Sequence, residues 1–165
     1  MTHLYLIHPT DRPRFAELNV VADFQIAPSS VTRSYEQAME GLIGKQVNNL
    51  MPLRSMTKAG ALITLSSDWD ADELSPLVKL KTVLSRQQEG APDLATAIEM
   101  LTINPARLLR HDDKTGSIEV GKYADLVILD RDLFEVDIAE LDKVQVLATL
   151  LQGKPVYDSQ GLFDD

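Results

Sequence analysis

Apolar residues recur along the first 110 positions in two alternating rhythms. Residues 4–7 form a short apolar run that stops at His8-Pro9, and this reads as a buried strand. Thr10 or Asp11 can cap a following helix over about 13–18, which Pro13 helps to start and Asn19 ends. Residues 20–26 read as the next strand, so the order is strand, helix, strand with short connections, a unit of parallel sheet. After a polar loop at 27–33, helices are expected over about 35–43 and 46–58, separated at Gly44. Gly60 ends the second, and 62–65 reads as a third strand. An acidic loop over 68–75 leads to Pro76, which opens a helix with Leu77, Leu80, Val83 and Leu84 on one face. Gly90-Ala91-Pro92 breaks it. Asp93 then caps a helix with Leu94, Ala97, Ile98 and Leu101 on its apolar side, and Asn104-Pro105 starts a last turn ending near Leu109.

The rhythm changes after Arg110. Strands are expected at 117–120, 126–129, 144–151 and 154–157, with turns at Gly121-Lys122 and Gly153-Lys154. The pattern therefore predicts an α/β unit over 1–110 and a small β unit over 111–165. No internal repeat or low-complexity segment interrupts either.

Composition narrows the function classes. The 165 residues carry a net charge of −9, which disfavours a nucleic-acid role. Cysteine is absent, which excludes disulfides and thiolate chemistry. No apolar stretch reaches membrane-spanning length and the first residues do not look like a leader, so a cytoplasmic location and no membrane partner are expected.

Candidate chemistry centres on Leu65-Ser-Ser-Asp68. In parallel α/β folds, sites form where strands end, and Asp68 stands there. Pattern alone leaves Asp68 equally open to a structural and a catalytic role. Asp68, Asp70 and Asp72 could occupy positions one, three and five of a calcium loop, but Glu73 at position six and Lys79 at position twelve exclude an EF-hand. Asp70, Asp72 and Glu73 read as loop acids. His3 and His8 flank one predicted strand, and five extended residues span roughly 16 Å, so both do not join one metal. His111 reads as a solvated linker residue. Trp69 could line a substrate pocket, although a buried aromatic anchor is the commoner use of such a side chain.

Larger motifs bring a family into view. Gly116-Ser-Ile-Glu-Val-Gly-Lys-Tyr-Ala-Asp-Leu-Val-Ile-Leu-Asp130 resembles the segment by which metal-dependent amidohydrolases pass from a TIM barrel into a small β-sandwich. Leu101-Thr-Ile-Asn-Pro-Ala106 resembles a helix of the same family, Leu65-Ser-Ser-Asp68 the end of its eighth barrel strand, and Thr2–Pro9 the stretch around its sixth in amidohydrolase family 3. Thr2 stands where the family has a glutamate.

The resemblance implies the last three βα units of a TIM barrel, strands six to eight, followed by part of a composite sandwich. It implies a hydrolase acting on non-peptide carbon–nitrogen bonds of a small amide or related molecule, with a divalent metal, zinc by expectation. Asp68 would bind that metal and shuttle a proton, and His3 would be a second ligand; Gly116, Gly121, Ala124 and Asp125 would be structural. The family's paired histidines of strand one and its ligands on strands four and five have no counterpart in these residues. The expectation is a carboxyl-terminal part of such an enzyme, inactive alone, that self-associates or joins an amino-terminal partner chain. The competing expectation is a non-catalytic remnant or interaction module.

Overall fold

Residues 1–71 and 73–163 are described by a computed structural model. Helix α1 (Arg12–Glu17) has proline in its first turn, where a missing N–H costs no helical hydrogen bond. Strand β1 (Ala22–Gln25) follows. Helices α2 (Arg33–Ile43) and α3 (Leu53–Lys58) then lead to strand β2 (Ile63–Ser66), which lies parallel to β1. The register pairs Ala22 with Ile63, Asp23 with Thr64, Phe24 with Leu65 and Gln25 with Ser66.

That register sorts the two strands into opposite faces. Ala22, Phe24, Ile26, Ile63 and Leu65 are buried. They share one core with Leu53 and Met56 of α3, Leu77, Leu80 and Val83 of α4 (Pro76–Ser85), and Ala97 of α5 (Leu94–Glu99). Burying one such aliphatic side chain is worth about 1.5–3 kcal/mol, so this face holds the layer of helices to the strands. Asp23, Gln25, Thr64 and Ser66 point to the other face, as period-two alternation requires.

Three expected elements differ. Residues 4–7 are not a strand: Leu6 makes only an isolated antiparallel bridge with Leu50, and Leu4 and Ile7 are buried while Tyr5 and Leu6 are exposed. Met1–His3 takes the place beside β1 instead, with the Met1 amino group donating to Val21 O at 2.8 Å and Asp23 N–H to Met1 O at 2.9 Å. His3, at φ 57°, turns the chain off the sheet. The expected helix over 46–58 is split into a 3₁₀ turn, Gly44–Asn49, and α3. Pro52 offers no N–H and disfavours a right-handed helical Met51, which sits instead at φ 44°, so the helix restarts only at Leu53. The expected strand at 117–120 is a turn-rich loop with Ile118 and Val120 exposed. Gly116 at φ 89° and Gly121 at φ 97° bend it at both ends, and Lys122 Nζ donates to Ser117 Oγ at 2.6 Å across it.

After α6 (Ile103–Leu108), strands β3 (Leu126–Leu129), β4 (Val146–Leu151) and β5 (Lys154–Asp158) form an antiparallel sheet in that order. Gln152 and Gly153, at φ 50° and 78°, join β4 to β5 with the paired positive angles of a tight hairpin. Asp125 Oδ1 accepts the Gln152 N–H at 2.7 Å and Ala124 O the Gly153 N–H at 2.9 Å, so the Ala-Asp pair of the long motif clamps that turn. Leu141 and Val144, from the segment before β4, enter the same core as α4, and Lys81 Nζ reaches Asp142 Oδ2 at 2.8 Å.

Candidate active site

Two chain segments that flank β1 on its two edges deliver the candidate residues. His3 leaves the segment beside β1, and Asp68 lies two residues beyond β2. Their side chains converge: His3 Nε2 stands 3.9 Å from Asp68 Oδ2, with 55% and 50% of each side chain exposed. Both residues occupy the left-handed backbone region, at φ 57° and 56°. Histidine and aspartate enter that region more readily than most residues, and the surroundings must hold them there. For Asp68 part of the hold is a turn in which its carbonyl accepts the Ala71 N–H at 2.7 Å.

Below this pair, on the polar face of the two strands, Asp23 gathers hydroxyl and amide donors. Its Oδ2 accepts from Thr2 Oγ1 at 2.8 Å, Gln25 Nε2 at 2.6 Å and Ser66 Oγ at 3.1 Å, and its Oδ1 from Thr64 Oγ1 at 2.8 Å. Gln25 turns its other amide atom outward, where Oε1 accepts the His3 backbone N–H at 2.9 Å. Lys79 of α4 is buried and donates from Nζ to Ile26 O at 2.8 Å, fixing the helix after the acidic loop to the end of β1. Asp23, Gln25 and Thr64 were not reached from the sequence. The signal that could have found them is parity: in Ala-Asp-Phe-Gln and Ile-Thr-Leu-Ser, the polar residues fall on the same alternate positions of two strands expected to be parallel neighbours.

The remaining candidates lie apart or in the open. Trp69 is 69% exposed, so it is not the buried anchor its size suggested. Asp70 and Glu73 are exposed loop acids, and Asp72 lies outside the described residues. His8 is exposed and bonded through Nδ1 to Thr10 Oγ1 at 2.7 Å, while His111 is exposed beyond α6.

The pair suits part of a metal site. Zinc–nitrogen and zinc–oxygen bonds of about 2.0–2.2 Å put two tetrahedral ligand atoms about 3.3 Å apart, and exposed side chains close the remaining gap by small rotations. Among the described residues no group of three or more histidine, cysteine or carboxylate side chains is placed to hold a metal ion. His3 and Asp68 thus fit as two ligands of a larger set.

Parallel strands with a polar face, and a histidine–aspartate pair beyond their ends, place this chain in the class of α/β proteins with a candidate site at one end of the sheet. The chain belongs to the amidohydrolase family, whose model matches residues 1–157. It is 39% identical over 120 residues to the N-substituted formamide deformylase of Arthrobacter pascens, which covers 68% of this chain and 22% of that protein. It is 29% identical over 168 aligned positions to Protein LONG AFTER FAR-RED 3 of Arabidopsis thaliana, covering 94% of this chain and 28% of that one. The chain therefore spans between a fifth and a third of the length of these relatives. Among solved structures, an amidohydrolase from Thermotoga maritima MSB8 superposes with a TM-score of 0.64 at 25% identity, over 91% of this chain and 34% of that one. An adenosine deaminase from Xanthomonas campestris with bound zinc reaches 0.71 at 22% identity, over 99% and 38%. These neighbours share a mixed α/β fold with this chain. Among the described residues no helix is long and apolar enough to cross a membrane.

Proposed function

We propose that this chain supplies His3 and Asp68 to the metal site of a hydrolase acting on a non-peptide carbon–nitrogen bond of a small amide or related molecule. The observation that carries the reading is the convergence of those two side chains, 3.9 Å apart, from the segments that flank β1 on its two edges. In this reading Met1–His3, β1 and β2 are strands six, seven and eight of a TIM barrel, residues 1–110 belong to that barrel and 111–165 to the small sandwich. Location in the cytoplasm belongs to the same reading.

A divalent ion, zinc by preference, would be held in part by His3 and Asp68 and would supply Lewis acidity toward water and substrate when bound. The atoms that would face it are His3 Nε2 and Asp68 Oδ2, which already approach each other. The other carboxylate oxygen of Asp68, Oδ1, is available to take the water's proton and return it to the leaving nitrogen. Trp69, exposed beside Asp68, offers an apolar wall to the substrate. Among the described residues two ligands fall short of the three that catalytic zinc sites use, so in this reading the remaining ligands come from residues outside this chain and the chain alone is inactive.

Complementation tests this. The chain is mixed with an amino-terminal segment of a full-length relative that carries paired histidines after a strand, and hydrolysis of N-substituted formamides and simple amides is followed. Activity in the mixture alone, dependent on added zinc, is expected. A mixture that assembles and binds zinc yet hydrolyses nothing would make the chain a folded interaction module.

A further inference from the structure

We propose that Asp23 and Gln25 are positioning residues that set the place of His3 through a polarity relay. The inference rests on the reading of His3 as a metal ligand. A carboxylate can only accept hydrogen bonds, so Asp23 Oδ2 draws Gln25 Nε2 inward, at 2.6 Å. Thr2 Oγ1 at 3.0 Å and Ser66 Oγ at 2.5 Å lie beside it as further acceptors whose hydroxyls point to the same carboxylate. The amide then has one orientation left. Its Oε1 faces outward and accepts the His3 N–H at 2.9 Å. That bond helps hold His3 at φ 57°, the backbone angle that turns its imidazole toward Asp68. Thr2 and Ser66 donate to the same Oδ2, and Thr64 to Oδ1, so the carboxylate joins the three segments that carry the candidate site. With its donors supplied by protein groups, Asp23 serves as a hub rather than as a ligand.

Polarity makes the relay testable. In Asp23→Asn the hydroxyls of Thr2, Thr64 and Ser66 can rotate to suit the new group. The Gln25 amide cannot satisfy both neighbours if the introduced asparagine turns its own NH₂ toward it, because a flipped Gln25 sets donor against the His3 N–H. Asp23→Asn combined with Gln25→Glu reverses the chain of donors and restores it. The introduced asparagine then donates to one oxygen of the introduced glutamate, and the His3 N–H donates to the other. The readout is amide hydrogen exchange at His3 by NMR in the metal-free chain, normalised to the intrinsic rate of its sequence. Gln25→Ala should speed that exchange about fivefold to tenfold, the worth of roughly one net hydrogen bond, as should Asp23→Asn in so far as its NH₂ faces Gln25. The double variant should return it to within about twofold of the parent. Unchanged His3 exchange in Gln25→Ala overturns the relay. If that variant does not fold, the double variant decides, protection at His3 supporting the relay and its loss overturning it. Neither metal nor substrate enters the measurement, so an inactive complementation mixture refutes the functional reading without touching this result.

Discussion

At the scale of single residues, backbone angles and donor counts explain what each motif position does. Gly116 sits at φ 89°, and a Cβ built there would lie 2.7 Å from Ala106 Cβ and 2.9 Å from Ile103 Cα. Gly116→Ala should therefore destabilise the chain by about 2 kcal/mol or more, combining left-handed strain with overpacking against α6. Urea unfolding checks this, and an unchanged midpoint would show that α6 yields freely. Glu89 offers a second case. It pairs with Arg12 at 3.3 Å, with both side chains largely buried, and accepts the Ser55 N–H at 2.9 Å. Removing one member of a buried pair strands the other charge, so Glu89→Ala should cost about 3–5 kcal/mol. Asp11→Ala, which breaks the exposed contact to Arg14, should cost no more than about 1 kcal/mol by the same measurement.

At the scale of elements, Lys81 and Asp142 tie α4 to the 3₁₀ turn Ile138–Lys143. The hydrogen bond from Lys81, with its positive charge, holds the Asp142 carboxyl below the ordinary carboxylate range. A depressed folded value means the contribution to stability is present above the unfolded pKa and is lost as pH falls through the folded one. Asp142→Asn should accordingly be less stable than the parent at pH 7, with the difference vanishing in acid below the carboxylate range. A gap that persists there would assign the contact a packing role. Much at this scale was legible in the sequence. The proline-opened α4, the Asp93 cap, whose carboxylate accepts the Thr96 N–H at 2.8 Å, and the parallel strands leading to Asp68 all follow from local rules. What was not legible depends on tertiary partners. Residues 4–7 have strand composition, but the turn at His3 carries them away from the sheet. Residues 117–120 look β-prone, yet two glycines at positive φ fold them back on themselves. The Asp23 network was hidden because its polar residues gain meaning only when the register sets the strands side by side.

At the scale of the whole molecule, apolar surface remains uncovered in several places, two of them on the sheet-bearing parts. Met1, Leu6 and Leu18 are exposed around a groove of about 360 Å³ beside the amino-terminal segment, and Val127, Leu151 and Tyr157 are exposed on the three-stranded sheet. Such surface favours association. Sedimentation across micromolar concentrations should reveal dimers or larger species, and a strictly monomeric, sharply folding chain would count against the partial-barrel reading. The central claim is that His3 and Asp68 do chemistry together in a completed site. Its most direct test compares hydrolysis by the zinc-loaded complemented mixture with Asp68→Asn and Asp70→Asn versions. Asparagine keeps the shape of aspartate but is a poor proton acceptor, so Asp68→Asn should lower kcat by at least about a hundredfold while leaving assembly intact. Asp70→Asn, in an exposed loop position, should change it by less than about threefold on the same reasoning. Equal activity in the parent and Asp68→Asn mixtures would contradict the account.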